Sequence, residues 1–221
     1  MKCLLLIAVS VAVVAPSSAE RPKKRRSPVA AIAKKIHPAL VTVRFVPAES
    51  AKDGGKPVPG AGVIAKANGI VLVPAVEAAD GSKLEVRRHD GSKLPAKVLA
   101  TDRKLGVAIL KIAAPKPLAE VEFGDSDQVK VGDDVIEIGG TFGYELSVAT
   151  GVISAANRAG PNGIKVLQVD SSVSPGISPG PVFDMKGRLL GIVPKSGGIG
   201  LAVPSNRLKE LMMKATKQQG K

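Results

Sequence analysis

The chain has 221 residues, 44% hydrophobic and 23% charged, with 24 glycines and 17 prolines. This is the profile of a turn-rich globular protein, long enough for one large domain or two small ones, and it excludes a disordered chain. The net charge of +13 favours anionic partners, while an aromatic content of 2%, with no tryptophan and one tyrosine, argues against a single-stranded nucleic-acid binder, which stacks bases on exposed rings.

The first residues, MKCLLLIAVSVAVVAPSSAE, have the layout of a secretory signal: Lys2 as the charged start, an apolar stretch from Cys3 to Ala15, and a small-residue cleavage site at Ser17-Ser18-Ala19. The apolar run is short for a membrane span, so residues 1–19 are read as a signal peptide cleaved after Ala19, and the protein as secreted or periplasmic rather than integral to a membrane. Cys3 is the only cysteine, so the mature chain would enter an oxidising compartment without a disulfide and depend on its core. Residues 20–38 form a basic tail rich in Arg21, Lys23, Lys24, Arg25, Arg26, Lys34 and Lys35. Such a run reads first as a solvated segment and second as an attachment to an anionic surface.

A short helix is predicted from Val29 to Ile36, ending before Pro38. Residues 39–221 form the folded domain. Strands are predicted at Val41–Val46, at two runs around the Asn68-Gly69 turn, and in a hairpin around Asp90-Gly91. More follow at Val107–Ala113 and Asp133–Gly140, in "LSVATGVISAANR" and "GIKVLQVD", and in a hairpin turning at Lys186-Gly187. Many short strands separated by Gly and Pro mean an all-β barrel or sandwich. One amphipathic helix closes the chain, with Ser205 as its expected cap and Leu208, Leu211, Met212 and Ala215 on one face. Its apolar stripe is expected to pack on the second half of the β body.

Neither a phosphate-binding glycine loop nor a dinucleotide fingerprint is present. With His37 and His89 as the only histidines and no mature cysteine, a zinc site would need mostly carboxylates, an unusual ligand set. No metal or cofactor is therefore expected. The acidic group Asp133, Asp134 and Glu137 reads as a polar turn entering a strand.

Five segments in order, "GAGVIAKANGIVLVPAVEAAD", "DGSKLPAKVLATDRKLGVAILKI", "FGDSDQVKVGDDVIEIGGTFGYELSVATGVISA", "QVDSSVSPGISPGPVFDMKGRLLGIV" and "GLAVPSNRLKELM", resemble the HtrA/DegP-type trypsin-like serine proteases. The resemblance covers about Gly60 to Met212. It implies two six-stranded antiparallel β-barrels with a C-terminal helix and an active site between the barrels. It places Ser178 at the nucleophile position, with the backbone N–H groups of Gly176 and Ser178 as oxyanion donors. Val76 takes the histidine position and Gly106 the aspartate position, while Asp102, at the start of the family's aspartate segment, is retained. Pro179 replaces a glycine after the nucleophile and restricts its backbone. Members of the family usually continue into peptide-binding PDZ domains, and none fits after the C-terminal helix.

A serine hydroxyl needs a positioned base, and the base an orienting partner. In subtilisin, losing the histidine alone costs about 10⁶-fold in turnover. The resemblance places His89 at a hairpin tip and His37 ahead of the first strand, both on the surface. Three readings stay open. The first is a pseudoprotease that binds a polypeptide or cell-envelope component without cleaving it. The second is an active endopeptidase that uses Ser178 with an unusual base, for which Glu77, one residue past the histidine position, and Lys195, after the nucleophile hairpin, are the candidates. The third is a charge-led module attached to an anionic surface through its basic tail.

Overall fold

The structure is a computed structural model that describes residues 27–46, 60–75, 83–140, 146–160, 163–171, 179–194 and 198–218. The predicted signal peptide and the first part of the basic tail lie outside these residues. The short first helix, α1 (Pro28–Ile36), forms as predicted, with Pro28 in the first turn where its missing N–H costs nothing. Lys34 and Lys35 lie in its last turn, where cations suit the helix dipole.

The first six strands are β1 (Leu40–Val46), β2 (Gly60–Lys66), β3 (Ile70–Pro74), β4 (Lys83–Arg88), β5 (Lys93–Asp102) and β6 (Val107–Ile112). They close in the order β1-β2-β3-β6-β5-β4 into an antiparallel barrel. The second barrel uses β8 (Asp134–Gly139), β9 (Ser147–Ala159), β10 (Lys165–Val169), β11 (Gly180–Asp184), β12 (Arg188–Val193) and β13 (Gly200–Pro204). Its order is β11-β8-β9-β10-β13-β12, and the β11–β12 pairing closes it. A two-residue strand that the sequence did not announce, β7 (Glu122–Phe123), adds to β12 in parallel. The protein is therefore all-β with two closed six-stranded barrels and a C-terminal helix, as the resemblance implied.

Aspartates close the turns. Asp90 accepts from the Ser92 amide at 2.9 Å and the Ser92 hydroxyl at 2.6 Å. Asp184 accepts from the amides of Lys186 and Arg188 at 2.9 Å each and binds the Arg188 guanidinium at 2.7 Å. A short polar side chain that satisfies amides two to four residues on is what makes Asp-Gly stretches turn.

Apolar packing falls into three regions. Val43, Ile64, Val71, Val86, Leu110 and Ile112 are among those filling the first barrel. Val135, Ile153, Leu167, Val169, Val182 and Leu190 fill the second. A third core lies between the barrels and includes Val63, Leu72, Ile109, Ile136, Ile138, Phe183 and Ile192. The walls that meet are covered on both sides, which is why β3 is buried at all five residues and reads as an unbroken apolar run. By contrast, β5 faces solvent and alternates.

The last helix, α2 (Ser205–Gln218), buries Leu208, Met212 and Ala215 in the inter-barrel core, with Leu211 packed against it. It rests on β12 and β13 as expected, and also reaches β5 of the first barrel. Ser205 is used differently from the expected cap: its hydroxyl donates to the Gly124 carbonyl at 3.0 Å, while the Asn206 amide donates to Ser126 Oγ at 3.1 Å. The Asn206 side chain donates to Asp125 at 2.7 Å. That bond, with the Asp127 amide, holds the Asp125 carboxyl below its ordinary value.

Candidate active site

Val76, Gly176 and Ser178 lie outside the described residues, so the site is built from the backbone that brackets them. On the first barrel, β3 ends at Pro74 and the Ala75 amide donates to the Gly106 carbonyl at 2.6 Å. Ala75, the residue before Val76, and Gly106 are thus bonded neighbours. The Gly106 amide donates to the Asp102 carbonyl at 2.8 Å, and the Asp102 carboxylate accepts from the amides of Lys104 and Leu105 at 3.0 Å each. Asp102 therefore does a turn-closing job, which seats Leu105 in the inter-barrel core.

This turn sends the backbone through Gly106 at φ +69°, a conformation that glycine adopts freely and L side chains resist. A Cβ placed on Gly106 would lie 2.8 Å from the Pro194 Cβ. The position is thus closed to a side chain twice over, by its backbone angle and by a proline ring. Pro194 follows β12, whose Val193 pairs with Gly180 at the start of β11. Gly106, Pro194 and the start of β11 form one cluster across the boundary between barrels, two residues downstream of position 178.

The second barrel anchors the other end of the serine loop. Asp170 Oδ1 accepts from the Val152 amide at 2.6 Å, and the buried Ser171 hydroxyl donates to the carboxylate of Glu137. A side chain on Gly151 would collide with the Ser171 amide, only 2.5 Å from its Cβ position. Pro179, half-buried, and Gly180, buried, then enter β11. Glu137 is fully buried. It alternates with Ile136 and Ile138, which face the inter-barrel core, so its carboxylate belongs to the interior of the second barrel. The acidic group read as a polar turn accordingly divides: Asp133 and Asp134 are exposed, and Glu137 is a core residue. The signal available in the sequence was its place inside the apolar run "VIEIG".

Neither histidine joins this cluster. Both are exposed, as expected, and their rings meet each other at 5.5 Å. His89 occupies the β4–β5 hairpin tip, and the ten residues of β5 separate that tip from the Asp102–Gly106 turn. At about 3.4 Å per residue this is roughly 30 Å. Among the described residues no group of three or more His, Cys, Asp or Glu could hold a metal ion, and no helix is long and apolar enough to cross a membrane.

The family model for the trypsin-like peptidase domain matches residues 60–192. The chain belongs to the trypsin-like peptidase family. It is also similar to proteins named probable periplasmic serine endoprotease DegP-like. One from Pseudomonas putida is 40% identical over 167 residues, which are 68% of this chain and 35% of the relative. One from Chlamydia trachomatis is 38% identical over 168 residues (70% and 33%), and one from Brucella suis 36% over 164 residues (69% and 32%). The chain spans about a third of the length of these relatives. Among trypsin-like peptidases the nucleophile, base and orienting acid must meet in one place.

Proposed function

We propose that this trypsin-like peptidase homologue is exported and catalytically silent, and that it acts by binding a polypeptide or cell-envelope component. The observation that carries this reading is the closed position at Gly106: left-handed backbone, and a Cβ that would lie 2.8 Å from Pro194. With Val76 at the base position, a hydroxyl at Ser178 has neither a proton acceptor nor an orienting carboxylate in the family's places. The two histidines pair with each other at the far end of β5 and offer no substitute base. Export is supported by the signal-like residues 1–19 and by the periplasmic naming of the relatives.

The test is labelling of the purified chain with a fluorophosphonate probe, followed by peptide mapping. No stoichiometric adduct is expected at Ser178. A one-to-one adduct that Ser178→Ala abolishes would establish an activated serine and overturn the reading. Fractionation of cells with periplasmic marker proteins tests export separately.

A further inference from the structure

Charge is divided unequally between the two barrels. Residues 39–118 hold thirteen basic and seven acidic side chains, whereas residues 119–218 hold ten and eleven. The excess on the first barrel gathers on one wall. In β1 and β4, Arg44 lies opposite Glu85; in β4 and β5, Arg87 lies opposite Lys93; in β5 and β6, Lys97 lies opposite Lys111. Directly opposed residues share a face, and the other face of these strands is the apolar barrel interior with Val43, Val86, Leu110 and Ile112. Arg44, Arg87, Lys93 and Lys97 therefore project outward from the adjacent strands β1, β4 and β5, with Lys111 at the margin, on the β6 face that carries Ile109 into the inter-barrel core.

One carboxylate accompanies them. Glu85 pairs with Lys93 at 3.6 Å, and Lys111 donates to the Asn68 carbonyl at 2.5 Å. Among the described residues, Arg44, Arg87 and Lys97 form no ion pair. Two of the direct cross-strand pairs are cation against cation, an arrangement that destabilises a sheet. A chain that breaks a local rule twice on one face has reason to be read as functional there.

We infer that this wall of the first barrel is a docking surface for an acidic polysaccharide, a linear sugar chain carrying carboxylate, sulfate or phosphate groups. The wall curves as part of a closed barrel, so a linear chain can follow it where a planar membrane touches few residues. The sequence has no tryptophan and one tyrosine, which removes the interfacial anchors of a membrane binder and the stacking platforms of a single-strand binder. The lateral spacing of its cations is the strand spacing, about 4.8 Å. The inference concerns the partner of the binding role proposed above and is independent of the state of Ser178.

The experiment measures heparin binding by titration calorimetry at 50 and 150 mM NaCl, using the mature chain. It compares R87E/K97E with K214E/K217E, which makes the same charge change at two exposed residues of α2. The wall variant should bind about tenfold more weakly with a shallower salt dependence, and the helix variant within about twofold of the parent. Because R87E and K97E turn two like-charge pairs into opposite-charge pairs, the melting temperature should hold or rise while binding falls. Equal losses in both variants would reduce the effect to net charge and overturn the inference. So would full dependence on residues 20–35 with no effect of the wall variant. Tighter binding to duplex DNA or to vesicles containing anionic lipid, with the same sensitivity to R87E/K97E, would overturn the polysaccharide assignment.

Discussion

Replacing Gly106 with aspartate puts the family's third residue back in name only, and the structure sets what it should cost. An L residue in the left-handed region costs about 1–2 kcal/mol, with aspartate near the lower end. The new Cβ would lie 2.8 Å from the Pro194 Cβ, and forcing a side chain into a filled space adds about 1–3 kcal/mol. Together these give roughly 2–4 kcal/mol, and in a domain of this size each kcal/mol moves the melting temperature by about 2–4 °C. Gly106→Asp should therefore melt about 5–15 °C below the parent, followed by circular dichroism. Gly106→Ala should lose a comparable amount, because the Cβ and the backbone angle carry the cost rather than the charge. The double variant Val76→His/Gly106→Asp should still fail to cleave casein. A Gly106→Asp protein that melts within about 2 °C of the parent would refute the argument, as would a double variant whose cleavage disappears with Ser178→Ala.

Asp102→Ala removes the acceptor for the Lys104 and Leu105 amides and should cost about 1–2 kcal/mol in urea melts, in the range of lost capping bonds. Ser171→Ala withdraws a hydroxyl donor from a fully buried carboxylate at Glu137 and should cost about 1–3 kcal/mol, whereas Ser92→Ala, at an exposed hairpin tip, should cost less. The Asp125 carboxyl is held below its ordinary 3.8 by Asn206 and the Asp127 amide. A depressed folded value means stability that is complete above the unfolded value and lost as pH falls through the folded one. The stability difference between the parent and Asn206→Ala should thus be constant above about pH 5 and shrink below pH 4. A difference that grows on acidification would contradict the assignment.

Most of the strands could be found in the sequence because their causes are local. Asp-Gly and Asn-Gly turns, alternation in β5 and the unbroken apolar run in β3 are all written in contiguous residues. The two-residue β7 could not be found, since it exists only as an addition to β12. Ser205 reads as a cap from the sequence, and its partner in the fold, the Gly124 carbonyl, lies 81 residues away where no local pattern points to it. Glu137 reads with Asp133 and Asp134 as an acidic turn, and only the position of β8 between two cores, with the Ser171 hydroxyl on its inner side, makes it an interior residue.

By itself the sequence supplies the identities of Val76, Gly106 and Ser178, and the reading of them as the family's catalytic positions rests on the resemblance alone. It also settled that the chain would be built of short antiparallel strands, because turn chemistry and strand periodicity are local properties. Only the tertiary structure decided that Gly106 is shut by a proline from the other barrel, that the two histidines meet each other far from that point, and that cations from β1, β4 and β5 share one outer wall. Each of these depends on register and barrel closure, which are set by pairings between residues distant in sequence, and a one-residue slip in any of them would have turned those side chains to the opposite face.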